Sequence, residues 1–270
     1  MNNNDMELVS VIVPAYNRGH TIDLTLRSVY ENTHRPIQVV VVDDGSTDET
    51  ADVVRNMIVQ IDDPTFNIVL HCQENAGAPA ARNTGLAEAT GRYVMFLDSD
   101  DTITENKIAD QVGLLQKNCA DVCVSDFTVF YPQTLNREPE YRSNANPLAK
   151  VIKGGSVGCA TSLIDVRLAK SISWTEELKN FQDIDYFVKV ILNAKRLIHY
   201  PVSTYNYFIY NADSITQSET IKKKSNPYKV RLRSLLHDGL LNTDYNKSLI
   251  SRLRFAVAGL WLSAQSVYHS

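Results

Sequence analysis

Residues 37–42 read IQVVVV, with a single polar side chain and four β-branched residues in a row. Such a run has no face to give to water, so it belongs in a strand covered on both sides. Three other stretches share the character: LVSVIVP at 8–14, FNIVLHC at 66–72 and RYVMFLD at 92–98. Between them the apolar period becomes helical. Ile22, Leu26, Val29 and Tyr30 share one face, Ala51, Val54, Ile58 and Ile61 another, and residues 79–90 form a third helix. The STDE at 46–49 predicts a capping box, with the Ser46 hydroxyl on the helix start and Glu49 reaching back. Strands alternating with amphipathic helices predict an α/β fold with a mostly parallel central sheet flanked by helices.

The second half is less regular. A helix is expected near 105–117, a strand over 121–131, a polar loop with three prolines over 132–150, and a helix in the later part of 181–196. Residues 197–210 suggest one or two short strands broken at Pro201, and the chain from 214 onward reads as helical.

The 270 residues carry a net charge of -4, which argues against a general nucleic-acid binder. Cys72, Cys119, Cys123 and Cys159 form no C-x-x-C pair and are expected to be reduced, mostly buried residues of a cytosolic protein. No stretch has the length needed to span a bilayer.

Polar residues gather where the strands end. The first strand runs into PAYN at 14–17, the second into DDGSTD at 43–48 and the fourth into DSDD at 98–101, while NAGAPAARNTG at 75–85 follows the third. In an open parallel sheet, ligands sit outside those strand ends. Three acids around Ser99 repel one another unless they are solvated or hold a cation. No G-x-G-x-x-G follows the first strand, and no G-x-x-x-x-G-K-[ST] occurs, so dinucleotide and P-loop binding are unsupported.

The four blocks VSVIVPAYNRGHTIDLTLRSV, VVVVDDGSTDET, NAGAPAARNTGLAEATGRYVMFLDSDD and FQDIDYF, in this order, resemble the family 2 glycosyltransferases and their GT-A fold. The likeness runs over about residues 8–216. It implies a catalytic domain over 1–215, with a nucleotide-sugar half at about 8–101 and an acceptor half at about 102–215, followed by a helical extension over 216–270. It implies that Asp100 binds Mn2+ or Mg2+ against the diphosphate of a nucleotide sugar and that Asp98 supports the ribose or the metal shell, with Asp98 and Ser99 counted among the nucleotide contacts. Pro14, Ala15 and Tyr16 match the loop against base and ribose, Asp44 the contact to the base, usually uracil, and Arg82 the basic residue near the nucleotide. Asp183 matches the general base of the inverting members. Gln182 stands where a Glu is usual, and the basic residue of the closing segment is replaced within 205–216, leaving His199 as a candidate for a polar role. No Q-x-x-R-W of processive synthases occurs, so one sugar is expected per binding event.

The implied activity is transfer of one sugar from a UDP-sugar to a hydroxyl on a glycan or lipid-linked acceptor, in bacterial surface polysaccharide or lipopolysaccharide synthesis. Three alternatives stay open. FLDSDDTI also resembles the D-x-D-x-T of haloacid-dehalogenase phosphatases, although that motif belongs on a first strand. A non-catalytic binding module would use the same scaffold, and a GDP-mannose:polyprenyl-phosphate transferase would give weight to the basic run at 222–224. The apolar tail at 252–268 reads as a helix packed on the domain or on a dimer partner, or as an interfacial helix at the inner face of the plasma membrane. Among the plainer readings, Asp183 could cap a helix, Asp185 is expected to be structural, and His71 and Cys159 to be core residues.

Overall fold

The computed structural model describes residues 7–133, 138–145, 147, 158–178 and 180–210. The chain divides into two units, Met1–Lys223 and Lys224–Ser270, and every described residue lies in the first. The expected helical extension, its basic run and the apolar tail fall outside the described residues.

The first four strands are β1 (Val9–Ala15), β2 (Ile37–Asp43), β3 (Phe66–Cys72) and β4 (Tyr93–Phe96), joined by helices α1 (Ile22–Tyr30), α2 (Thr50–Gln60) and α3 (Ala78–Glu88). They lie parallel in the order β3-β2-β1-β4. Every position of β1 and β2 is buried, as runs with no polar face require. After β4 come β5 (Thr102–Ile103), α4 (Lys107–Asn118), β6 (Val122–Phe130), β7 (Glu140–Arg142), a 3-10 turn (Cys159–Thr161), β8 (Ser162–Asp165), α5 (Val166–Lys170), α6 (Gln182–Asn193) and β9 (Leu197–Phe208). The sheet continues through β8, antiparallel to both β4 and β6, and then β9, parallel to β6. Among the described residues a nine-stranded mixed sheet results, with β5 antiparallel on β9 and β7 on β6.

The parallel character is thus concentrated in the first half. Pro201 does not break β9, because register shifts opposite Asp126 absorb it and one strand of 12 residues runs on. A short strand, β7, occupies part of the expected loop. On α2 the inward positions are Thr50, Val54 and Met57, while Ile58 is 38% exposed and not in the core. The cysteines are reduced, but Cys72 and Cys119 are exposed.

Helix α3 lies close on the sheet because of Gly85. A Cβ there would stand 2.5 Å from Ile12 Cγ2 and 3.3 Å from Val42 Cγ2. Beyond β4, Phe96 and α6 share an aromatic cluster in which Trp174 stacks on Tyr186 at 4.2 Å. Among the described residues no helix is long and apolar enough to cross a membrane.

Candidate functional site

Strands β1 and β2 end level, with Ala15 beside Asp43, and the Asp44 N–H donates to the Ala15 carbonyl at 2.8 Å. The Leu97 N–H donates to the Ile12 carbonyl at 2.9 Å, which carries β4 along β1 and delivers Asp98 to the same edge. Pro14 and Ala15 are buried there, and Tyr16 is exposed. The loop after β1 is sewn to the loop after β2. The Asn17 N–H donates to Ser46 Oγ at 2.9 Å, Arg18 N–H to Thr50 Oγ1 at 2.7 Å and Gly19 N–H to Asp48 Oδ2 at 3.0 Å. The expected capping box is therefore not formed. Asn17 takes the Ser46 hydroxyl, Glu49 makes no side-chain cap bond, and Asp48 accepts the Thr50 N–H instead.

The two acids after β2 divide their work. Asp43 closes a turn by accepting the Ser46 N–H at 3.0 Å. Asp44, 3% exposed, accepts from Gln73 Nε2 at 2.7 Å, Ala76 N–H at 2.9 Å and Gly77 N–H at 2.8 Å. Its carboxylate faces the start of α3, where negative charge is favoured. Gly45 permits this approach: its φ is +77°, and a Cβ would meet the Asn75 nitrogen at 2.9 Å.

The acids after β4 have three different surroundings. Asp98 accepts from Arg82 Nη2 at 2.7 Å. Arg82 is buried on α3, with its guanidinium 4.6 Å over the Trp174 ring and its Nη1 donating to Gln182 Oε1 at 3.2 Å. Burial opposes the Arg82 charge, but Cys159, Asp98 and Asp183 outweigh it and its pKa is raised. Ser99 is buried. Asp100, partly exposed, faces Arg18 Nε at 3.5 Å. Burial, and then the Asp98 charge, raise its carboxyl above the ordinary range. Asp101 is fully buried and turns inward, accepting the Phe208 N–H at 2.8 Å and the Tyr205 hydroxyl.

Gln182 and Asp183 open α6, so Asp183 lies in the first turn and is not the cap, which is Phe181 in the left-handed region. The Arg82–Gln182 bond brings this helix start to the acids of β4. Asp185 is buried and pairs with Lys189 at 2.7 Å, as a structural acid should. His199 sits 2.7 Å from the buried Asp126. His71 is not a core residue, since it is half-exposed and pairs with Glu88 at 2.7 Å. Cys159 is buried, as expected.

A family model described as Glycosyl transferase family 2 matches residues 10–171. The chain belongs to that family. This family 2 chain is 32% identical over 173 residues to the Escherichia coli UDP-Glc:alpha-D-GlcNAc-diphosphoundecaprenol beta-1,3-glucosyltransferase WfaP, covering 63% of the chain and 65% of WfaP. It spans less than two thirds of that relative's length. Staphylococcus aureus TarS 1-349, solved in complex with UDP-GlcNAc, superposes with a TM-score of 0.72 at 25% identity, covering 89% of the chain and 68% of TarS. A likeness of fold alone links it to the Pyrobaculum calidifontis mannosyltransferase PcManGT, solved with GDP-Man and Mn2+, at 18% identity and TM-score 0.60 over 99% of the chain and 82% of PcManGT. The GT-A-type α/β fold expected from the sequence is the one found, but its sheet is mixed rather than mostly parallel, because β8 runs antiparallel to β4 and β6.

Two residues of this family 2 chain escaped the sequence reading. Arg18 is one basic residue in a polar loop, and only the fold sets it against Asp100. Trp174 backs Arg82 from 92 positions away, and no local pattern links them.

Proposed function

We propose that the chain is an inverting, metal-dependent glycosyltransferase that moves one sugar from a UDP-sugar to a hydroxyl acceptor. The observation that carries this is the Asp98–Arg82–Gln182 bridge, which joins the acids after β4 to the helix turn bearing Asp183. TarS, solved with UDP-GlcNAc, and WfaP, named for a UDP-glucose donor, support UDP as the carrier. WfaP's diphosphoundecaprenol acceptor supports a lipid-linked acceptor in surface polysaccharide synthesis.

Asp98 and Asp100 fit a divalent cation. They are hard oxygen donors two residues apart on one turn, both partly open to water, which is the donor set such a cation takes. Mn2+ or Mg2+ held by them would stabilise charge on the leaving diphosphate. The protein's own groups do the rest. Asp44 fixes the loop that, with Pro14, Ala15 and Tyr16, receives the base. Asp183 takes the proton from the acceptor hydroxyl as its oxygen bonds to the anomeric carbon, and the carbon–oxygen bond to the diphosphate breaks with its electron pair on the leaving oxygen. Arg82, which pairs with Asp98, would favour negative charge on the donor.

A thermal-shift panel of UDP, GDP, CMP and no nucleotide, each with Mn2+ or EDTA, tests the reading. Native-state ligands stabilise by RT ln(1 + [L]/Kd), about 2.7 kcal/mol at a hundredfold excess. Stabilisation by UDP with Mn2+ that vanishes in Asp100→Ala is expected. Stabilisation by GDP alone would move the reading to a GDP-sugar transferase, and none by any nucleotide would overturn it.

A further inference from the structure

We infer that Arg18 belongs to the donor site as a placeholder cation, paired with Asp100 in the empty protein and released to the donor's diphosphate when metal binds. The inference rests on the donor reading above. Arg18 lies between two groups that a nucleotide sugar must bridge. Its Nη1 donates to the carbonyls of Tyr16 at 3.3 Å and Asn17 at 3.2 Å, on the side of the base loop. Its Nε faces Asp100 Oδ2 at 3.5 Å, on the side of the acids. A diphosphate, which links the base-bearing ribose to the sugar, passes through that interval.

The backbone under Arg18 is fixed, because its own N–H and those of Asn17 and Gly19 are bound to side chains after β2. The side chain is not fixed in the same way: it is 39% exposed, and its separation from Asp100 is too long for a firm charge-assisted hydrogen bond. A guanidinium beside a partly buried carboxylate meets the need for positive charge when no metal is there. It also competes with the metal for the same oxygen. A diphosphate offers several anionic oxygens that match the guanidinium fork better than one half-shared carboxylate. The same side chain therefore opposes metal binding on its own and favours metal with nucleotide.

The two effects have opposite signs, which a merely structural role would not produce. Calorimetric titration of the full chain with Mn2+ alone, and with UDP in saturating Mn2+, would be compared for wild type, Arg18→Gln and Arg18→Lys. Arg18→Gln should bind Mn2+ alone several-fold more tightly and UDP with Mn2+ about tenfold more weakly. Arg18→Lys should fall between. If wild type binds UDP normally and Arg18→Gln matches it, or if both affinities move the same way, the inference falls alone. If wild type binds no UDP in Mn2+, the donor reading falls and this inference with it.

Discussion

The Tyr205 hydroxyl donates to Asp101 across 104 positions of sequence, tying the end of β9 to the acid turn after β4. The Phe208 N–H fills the other carboxyl oxygen. Asp101 is therefore the acid of the DSDD run that holds the architecture, while Asp98 and Asp100 stay partly exposed and pair with Arg82 and Arg18. Tyr205→Phe leaves a buried oxygen without its donor. It should cost about 1–3 kcal/mol in urea unfolding. An unchanged midpoint would show that the bond carries little stability.

Lys107 predicts a pH signature. It is fully buried, and among the described residues its ammonium meets Ser125 Oγ at 3.2 Å, the Thr161 carbonyl at 3.4 Å and Thr204 Oγ1 at 3.0 Å. Burial lowers its pKa to about 7, against 10.5 ordinarily. Between those values the unfolded chain binds more protons, so stability rises with pH across that window. Below pH 7 the lysine is charged in both states and its burial cost is fully present. Lys107→Met should flatten the dependence from pH 7 to 10 and stabilise the protein at pH 6, by an amount on the order of a few kcal/mol. Denaturant unfolding across that range reads both effects.

Asp183→Asn should lower kcat by about 10²–10⁴-fold. Stabilisation by UDP with Mn2+ should stay as in wild type, because the role proposed for Asp183 is to deprotonate the acceptor and not to bind the donor. Loss of nucleotide binding in this variant would move Asp183 into the donor site.

Asp44→Asn replaces one accepting oxygen with an NH2 that must face Gln73 Nε2 and the Ala76 N–H, or the Gly77 N–H, all donors. The loop should loosen, costing about 1–3 kcal/mol. UDP should bind about tenfold more weakly, readable by calorimetry. Tight UDP binding in a folded Asp44→Asn would separate the loop from the nucleotide.

The parallel half of the fold was legible because its signals are local. Runs such as VVVV can only be buried, and the strands they form deliver the polar residues that follow to one edge. What was not legible depended on competition at a distance. Ser46 has the sequence of a cap, but Asn17 claims its hydroxyl. Met57 is buried in place of Ile58 because small differences in helix phase decide a narrow interface. Pro201 reads as a strand break, yet the strand persists because β6 shifts register beside it. Glu140–Arg142 is too short and polar to announce a strand, and it forms one on β6. The candidate site follows the same division. Asp44, Asp98 and Asp100 stand at strand ends, whereas the contacts that orient Arg82 come from residues 92 and 100 positions further on.

Gly85 sets how deep the guanidinium of Arg82 can reach. Helix α3 touches the sheet where a single methyl group would collide with Ile12 and crowd Val42. Arg82 projects from that helix one turn earlier, and its length is fixed by its chemistry. Lifting the helix by even part of a methyl diameter would draw the charge back from Asp98 while every charged residue stayed in place. Electrostatics at the edge of the sheet is thus calibrated by a hydrogen atom in its middle.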